Sequence, residues 1–156
     1  MTKSFINNLK KLLENKRNIT IFPHKNPDGD AIGSCLALNH FLKKLGHNSN
    51  VISPNDYPDF LNWMPGIKNV LKFSSNKFFC EKLINESDIV FTLDFNSLKR
   101  VEILGDLIKK SKSTIVMIDH HENPEDFSDL TYSDSKIAST CEMTYNVIEK
   151  FKVDEI

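Results

Sequence analysis

The hydrophobic positions of this chain follow two alternating patterns. Short runs rich in Ile, Val and Phe predict buried strands at residues 19–22, 51–52, 89–93 and 114–118. Between these runs, apolar residues recur at helical spacing and predict helices over 5–16, 31–45, 77–86, 101–110 and 139–151. The helix over 31–45 is the clearest, because Gly46 follows it directly as a C-cap. The alternation predicts a doubly wound α/β sandwich with a mainly parallel central sheet.

Length, composition and charge limit the class of protein. The 156 residues fit one domain, and 40% hydrophobic with 26% charged residues is typical of a soluble globular protein. The net charge of −1 gives no overall positive field that would attract duplex DNA or an anionic membrane. Residues 1–18 lack the continuous apolar core of a signal peptide or a membrane span. Cys35, Cys80 and Cys141 are widely spaced and odd in number, which indicates reduced thiols and a cytoplasmic protein.

Polar clusters follow three of the four predicted strands. The first strand is followed by His24, Asp28 and Asp30, the third by Asp94, and the fourth by Asp119, His120 and His121. In an open parallel sheet, ligands bind outside the carboxyl ends of the strands. We therefore expect these seven side chains to meet at one edge of the sheet.

The chemistry of this cluster predicts a metal site. Several carboxylates packed together repel one another at neutral pH unless a cation neutralises them. Imidazole and carboxylate ligands suit a divalent transition metal, and the oxygen-rich mixture favours Mn²⁺ over zinc. We expect Gly29 to allow a tight turn, so that Asp28 and Asp30 both face the metals. Asp94, alone at its strand end, is the best candidate for a bridge between two ions, and ions about 3.5–4 Å apart can clamp both oxygens of a phosphoryl displacement.

Each residue of the cluster also has a purely structural alternative. Asp30 or Asp94 could cap the N-terminus of a following helix, His24 could be a structural histidine, and residues 120–121 could be a surface pair. Four other residues are interpreted as structural: His40, His47, Cys35 and Cys141. The metal hypothesis explains three Asp/His clusters at strand ends together, whereas the structural alternatives must explain each cluster separately.

The same residues resemble the signature motifs of the DHH phosphoesterase family, within the RecJ-like superfamily. The tripeptide that names the family is matched at residues 119–121, and HKNPDGDAIGS at residues 24–34 looks like its first signature. Asp94 in TLDF matches the second signature, and IASTCEM at residues 137–143 matches a later, weaker one. Because four motifs occur in the family's order, the resemblance is specific and covers nearly all of the chain.

One branch of the family is the most similar, the oligoribonucleases that are also 3′-phosphoadenosine 5′-phosphate phosphatases. Two segments carry this resemblance, PDGDAIGS at residues 27–34 and SPNDYPDFLNWMPG at residues 53–66, and inorganic pyrophosphatase relatives fit the second segment less well. The resemblance implies hydrolysis of short oligoribonucleotides or 3′,5′-bisphosphonucleosides by attack of a metal-bound hydroxide on phosphorus. The alternatives are a cyclic-dinucleotide phosphodiesterase, an inorganic pyrophosphatase, or an inactive fragment that binds metal or nucleotide.

The resemblance also implies a cofactor and residue roles. It implies two divalent ions, Mn²⁺ in the first place, with Mg²⁺ or Co²⁺ as alternatives. One ion would be held by His24, Asp28 and Asp94, and the other by Asp30, Asp94 and His120. His121 would donate a hydrogen bond or a proton to the substrate phosphate, and Asp119 would support catalysis by orienting a histidine.

The chain departs from the family pattern at its end. Family members carry a further Asp ligand downstream and then a second domain, whereas this chain ends at Ile156, and Asp134 and Asp154 match no motif. We therefore expect residues 1–156 to be the N-terminal metal-binding domain, truncated before the last ligand and the C-terminal substrate-binding domain. The isolated chain is expected to be weakly active or inactive. Expected partners are short RNA or a small nucleotide and the missing domain, with no duplex DNA and no membrane, and a homodimer remains open.

Overall fold

A six-stranded sheet, parallel throughout, forms the centre of the protein in the computed structural model, which describes residues 1–152. The strands are β1 (Asn18–Phe22), β2 (Asn48–Ser53), β3 (Leu71–Lys72), β4 (Ile89–Leu93), β5 (Thr114–Asp119) and β6 (Leu130–Ser133). The helices are α1 (Lys3–Leu12), α2 (Gly29–Lys44), α3 (Lys77–Asn85), α4 (Ile103–Lys110) and α5 (Thr140–Lys152). The predicted α/β class with a parallel sheet is therefore confirmed. Asp154 lies outside the described residues.

Both faces of the sheet are covered by helices. One apolar cluster packs α1, α2 and α5 against residues such as Ile21 and Phe91, and a second packs α3 and α4 against Phe22 and Val90. Neighbouring residues of one strand thus point into opposite clusters, which is why the strands are continuous apolar runs. The burial of these runs on both faces fixes the register of the sheet.

The order of the strands places three chain segments next to one another. The order is β3-β2-β1-β4-β5-β6, so the direction of winding changes between β1 and β4. Phe22 at the end of β1 pairs with Thr92 of β4, and Leu93 at the end of β4 pairs with Ile118 of β5. The segments that follow β1, β4 and β5 therefore leave the sheet side by side. We call this end of the sheet the carboxyl edge; it is the place where open α/β sheets bind ligands.

The predicted helices and strands are all present, but some of their ends differ; α1, for example, ends at Leu12 and not at residue 16. β3 and β6 are not predicted, because β3 has two residues and both strands lie at the sides of the sheet, where the apolar signal is weak. The predicted end of α2 is confirmed: Gly46 has φ 90°, and its N–H donates to the Lys43 carbonyl while the His47 N–H donates to the Leu42 carbonyl. This is a Schellman C-cap. The helix predicted from Val101 begins at Ile103, after a 3₁₀ turn over Leu98–Val101.

No helix within residues 1–152 is long and apolar enough to span a membrane.

The cysteines and the two histidines without a predicted metal role occupy structural positions. All three cysteines are free, with Cys35 and Cys80 buried and Cys141 partly buried. His40 Nε2 lies 3.1 Å from the Pro65 carbonyl oxygen, and His47 is buried just before β2, at the end of the sheet opposite the carboxyl edge. These contacts support the structural interpretation of both histidines.

Candidate metal centre

His24 stands at the carboxyl edge directly beyond β1. Its side chain is buried, and Nδ1 lies 2.7 Å from the Lys25 carbonyl oxygen. Because a carbonyl only accepts, this contact assigns the ring proton to Nδ1 and leaves Nε2 free as a ligand atom. Nε2 lies 3.5 Å from Asp94 Oδ2 and 4.0 Å from Asp28 Oδ2. Burial opposes protonation of the ring, but the contacts with Asp94 and the Lys25 carbonyl outweigh it and raise the pKa of His24.

Asp28 is the N-cap of α2, the role that the sequence suggested as an alternative for Asp30. Its Oδ1 accepts a hydrogen bond of 3.0 Å from the Ala31 N–H, which leaves Oδ2 facing His24. The expectation that Gly29 makes a tight turn is wrong, since Gly29 is simply the first residue of α2. The left-handed residue of this loop is Asn26, at φ 51°. Its N–H donates to Asn55 Oδ1 at 2.7 Å, and its Oδ1 accepts from Asn55 Nδ2 at 2.6 Å. The loop after β2 therefore stabilises the conformation of the loop that carries His24 and Asp28.

Asp30 caps α5 instead of its own helix. Its Oδ2 accepts a hydrogen bond of 2.9 Å from the Thr140 N–H, and its Oδ1 accepts one of 2.7 Å from the Cys141 N–H. Burial opposes ionisation of this carboxyl, but the bonds from Cys141 and Thr140 outweigh it and lower the pKa of Asp30. Oδ2 also lies 3.6 Å from His120 Nε2. Asp30 therefore connects the start of α5 to the metal candidates.

Asp94 occupies a left-handed backbone conformation, at φ 67°, immediately after β4. Such a conformation costs a residue with a side chain about 1 kcal/mol, and the Asp94 N–H holds it by donating to the Ile118 carbonyl at 3.1 Å. The side chain is buried and faces three histidines. Oδ2 lies 3.5 Å from His24 Nε2, whereas Oδ1 lies 3.5 Å from His120 Nε2 and 4.0 Å from His121 Nδ1. Asp94 does not cap a helix, since Ser97 is the N-cap of the next helical turn.

Asp119 is the last residue of β5 and holds the histidine pair that follows it. It is fully buried; its Oδ2 accepts from the His121 N–H at 2.9 Å, and its Oδ1 lies 2.8 Å from His121 Nδ1. The histidine that Asp119 orients is thus His121, whose ring centroid lies 4.5 Å from that of His120. Asn96 Nδ2 donates to the carbonyls of His121 at 3.2 Å and Glu122 at 2.8 Å. The pair is therefore held from β5 and from the loop after β4.

All seven candidate residues meet at the carboxyl edge, and five of them form two overlapping groups. In each group the potential ligand atoms lie within 4.8 Å of one another: group one is His24, Asp28 and Asp94, and group two is Asp94, His120 and His121. Asp94 belongs to both groups. Group two contains His121 and not Asp30, although the family resemblance implies Asp30 as a ligand of this ion. Asp30 lies next to the group, with Oδ2 3.6 Å from His120 Nε2. Neutral imidazole and carboxylate donors in this number fit a divalent ion such as Mn²⁺.

Comparison with known proteins identifies the family. Residues 18–156 match the family described as "DHH family, N-terminal domain". The chain belongs to the DHH family of phosphoesterases. A similar solved structure is an exopolyphosphatase-related protein from Bacteroides fragilis, with 44% sequence identity and a TM-score of 0.93 over 96% of this chain and 45% of that one.

Two curated relatives differ in the activity that their names state. The chain is 32% identical over 136 residues to the bifunctional oligoribonuclease and PAP phosphatase NrnA of Thermus thermophilus, covering 87% of this chain and 38% of the relative. It is 31% identical over 109 residues to a probable manganese-dependent inorganic pyrophosphatase of Bacillus cereus, covering 66% of this chain and 31% of the relative. The chain thus spans less than half the length of each protein compared.

The sequence motifs do not reveal the connection between α5 and this site. Thr140 is fully buried, and its Oγ1 donates to Asp94 Oδ1 at 2.8 Å. The only sequence signal for this residue is its place in the weak motif at residues 137–143, which indicates no role for it. The reciprocal pair of Asn26 and Asn55 gives no sequence signal at all, because the partners lie 29 residues apart.

Proposed function

We propose that this chain is the metal-binding catalytic domain of a phosphoesterase that hydrolyses short oligoribonucleotides, 3′,5′-bisphosphonucleosides, or both, with two Mn²⁺ ions. The observation that carries the proposal is the position of Asp94, a buried carboxylate whose two oxygens face different ligand groups. When bound, a pair of divalent ions polarises the phosphoryl group and activates water for attack on it. Mg²⁺ or Co²⁺ would use the same ligands.

The chain's own residues divide into two ligand sets in this proposal. His24, Asp28 and Asp94 hold one ion. Asp94 and His120 hold the other, together with Asp30, whose Oδ2 lies 3.6 Å from His120 Nε2. The backbone amides on both Asp30 oxygens keep that carboxylate ionised, as a metal ligand must be.

His121 acts on the substrate, and Asp119 positions His121. Asp119 is buried and takes both the backbone N–H and Nδ1 of His121, so it fixes the ring and its tautomer. The His121 side chain is 41% exposed, and its Nε2 is the nitrogen left for a phosphoryl oxygen of the substrate. Because Nδ1 carries the proton that Asp119 accepts, Nε2 carries a proton only when the ring is doubly protonated. In that form Nε2 donates to a phosphoryl oxygen and stabilises the charge that develops there, and such a donor contributes about 10²–10³-fold to kcat.

We favour nucleotide substrates over pyrophosphate because the alignment with the oligoribonuclease covers a larger share of this chain than the alignment with the pyrophosphatase does. The alignment with the oligoribonuclease covers 87% of the chain, whereas the alignment with the pyrophosphatase covers 66%. Pyrophosphate hydrolysis remains the second candidate, supported by that second alignment.

We also propose a cytoplasmic location, since three free thiols are typical of a reducing compartment. In the full-length protein, a C-terminal domain would complete the substrate cleft.

The test begins with the ions and continues with the substrate. We expect calorimetric titration of the chain with Mn²⁺ to give two ions per chain and to raise its Tm. In the full-length protein that carries this chain, we expect Mn²⁺-dependent release of phosphate and AMP from 3′-phosphoadenosine 5′-phosphate, and of mononucleotides from a diribonucleotide. Absence of metal binding would overturn the proposal. Faster hydrolysis of pyrophosphate or of a cyclic dinucleotide than of both nucleotides would replace the substrate assignment.

A further inference from the structure

Thr140, the first residue of α5, contacts two of the candidate carboxylate ligands at once. Its Oγ1 donates to Asp94 Oδ1 at 2.8 Å, and its backbone N–H donates to Asp30 Oδ2 at 2.9 Å. The N–H of the next residue, Cys141, donates to Asp30 Oδ1 at 2.7 Å. Thr140 is fully buried and its hydroxyl bond to Asp94 lies in the interior, so water does not compete for that bond, whereas the two bonds to Asp30 are partly buried.

The carboxylate of Asp94 needs a defined rotation to serve both ligand groups. One oxygen, Oδ2, faces His24 Nε2 at 3.5 Å, and the other, Oδ1, faces His120 Nε2 at 3.5 Å. The terminal torsion of an aspartate is intrinsically broad, so a neighbouring donor must select one orientation. The Thr140 hydroxyl makes that selection from the side of Oδ1. Because a carboxylate oxygen has two acceptor sites, Oδ1 keeps one for the second group.

We infer that Thr140 is a positioning residue, which fixes the Asp94 carboxylate with one oxygen toward each ligand group. The inference rests on the proposed function, because it concerns the binding of two ions. Thr140 acts through Asp94 with its hydroxyl and through Asp30 with its amide. The hydroxyl contribution can be removed by mutation while the amide contribution remains.

The same helix offers a matched control. Thr144 lies one turn after Thr140 and is also fully buried, and within residues 1–152 its Oγ1 has no hydrogen-bond partner. Thr→Val replaces a hydroxyl by a methyl group of similar size at either position. Thr140→Val therefore removes the bond to Asp94, and Thr144→Val tests the same chemical change without that bond. Thr140→Ser keeps the hydroxyl and should restore the wild-type behaviour.

The experiment is a Mn²⁺ titration of the chain followed by calorimetry and by electron paramagnetic resonance, which detects magnetic coupling between bridged ions. We expect Thr140→Val to lower the affinity for one of the two ions by about 10–100-fold, as is usual when a residue supporting a ligand is lost. We also expect its coupling signal to weaken. Thr140→Ser and Thr144→Val should bind Mn²⁺ like the wild type. Wild-type affinity and coupling in Thr140→Val would overturn the inference.

Two further outcomes keep this inference separate from the proposed function. A wild-type chain that binds no Mn²⁺ would overturn both. A wild-type chain that binds two ions, with a Thr140→Val variant that binds them equally well, would overturn the positioning role alone. Circular dichroism without metal checks that each variant is folded. If Thr140→Val does not fold, the pair Thr140→Ala and Thr144→Ala takes its place, with the same expected difference.

Discussion

Two histidines at opposite ends of the same sheet are equally buried, and their pKa values shift in opposite directions. His24 at the carboxyl edge and His47 before β2 are each 6% exposed. Burial opposes protonation of both rings, yet the pKa of His24 is raised, whereas the pKa of His47 is lowered by burial and by the charge of Arg17. Burial alone therefore does not decide the charge state. The difference comes from the neighbours that each end of the sheet provides.

The hydrogen bonds of the two rings explain the difference. His24 has a carbonyl at Nδ1 and carboxylates facing Nε2, so both nitrogens meet groups that favour a positive charge. His47 Nδ1 instead accepts a hydrogen bond of 3.2 Å from the Arg17 N–H, and within residues 1–152 its Nε2 is buried without a partner. The acceptor groups around His24 thus favour a bound cation at the carboxyl edge, whether a proton or a metal ion. The Arg17 N–H at His47 favours a neutral ring at the opposite edge.

The largest expected effect comes from Asp94→Asn, which removes the main acidic neighbour of His24. Under the proposed function this substitution removes the ligand common to both ions, and we expect kcat of the proposed phosphoesterase to fall by on the order of 10³-fold, as when a strong transition-state contact is removed. In the metal-free chain, the pKa of His24 should fall toward the behaviour of His47, because the carboxylate that favours its protonated form is gone. Steady-state kinetics and NMR titration of the histidines measure these effects.

Asp88→Asn provides the control for this change. Asp88 immediately precedes β4, whereas Asp94 immediately follows it, and its Oδ2 accepts from the Asn18 N–H at 2.8 Å, an interaction that the amide oxygen of Asn can replace. We expect wild-type turnover and an unchanged His24 titration. Wild-type turnover in Asp94→Asn would show that Asp94 is not a shared ligand.

A smaller effect is expected from exchanging each histidine for glutamine. His24→Gln should reduce the number of bound Mn²⁺ ions from two to one, since the ligands of the second group remain. His47→Gln should leave both ions in place, because His47 lies at the opposite end of the sheet from the ligands. Calorimetric titration of the two variants side by side gives the comparison. Equal loss of metal from both would indicate a general effect of disturbing the fold.

The sequence predicts the centre of the fold and the members of the site better than their connections. The four predicted strands are continuous apolar runs, and the Asp and His clusters follow three of them directly, so local patterns were sufficient. Asp28 and Asp30 both satisfy the N-cap rule, and only the start of α2 at Gly29 decides between them. The bond from Thr140 to Asp94 joins residues 46 positions apart. It depends on the packing of α5 against α2, which no local pattern specifies.

The close approach of these two helices illustrates the limit of local patterns. A Cβ atom at Gly33 of α2 would lie 3.0 Å from Cys141 Sγ of α5, so glycine permits the spacing that brings the start of α5 to Asp30 and Asp94. In the sequence, Gly33 is only one of the letters of the first motif. Its role appears when the partner helix is in place, as does that of Thr140.

The smallest expected effect is on the pH dependence of stability of the metal-free chain. The folded-state pKa of His47 is lowered below the usual value of 6.5. As the pH falls through 6.5, the unfolded chain takes up a proton that folded His47 does not, so the free energy of unfolding decreases until the folded-state pKa is reached. His47→Gln removes this proton uptake. We therefore expect its unfolding free energy, measured by urea titration in chelator, to decrease less than that of the wild type below pH 6.5.

His40→Gln is the control for this measurement, because His40 is an exposed residue whose ring contacts only the Pro65 carbonyl among the hydrogen bonds of residues 1–152. This variant separates the general effect of replacing a histidine by glutamine from the effect of removing the buried His47 ring. His24 should act in the opposite sense: its raised pKa stabilises the metal-free fold at acidic pH, and this contribution is lost as the pH rises through the folded-state value. An acid-side stability curve that is identical for the wild type and His47→Gln would mean that His47 accepts a proton as readily in the folded chain as in the unfolded one. The contrast between the two ends of the sheet would then rest on His24 alone.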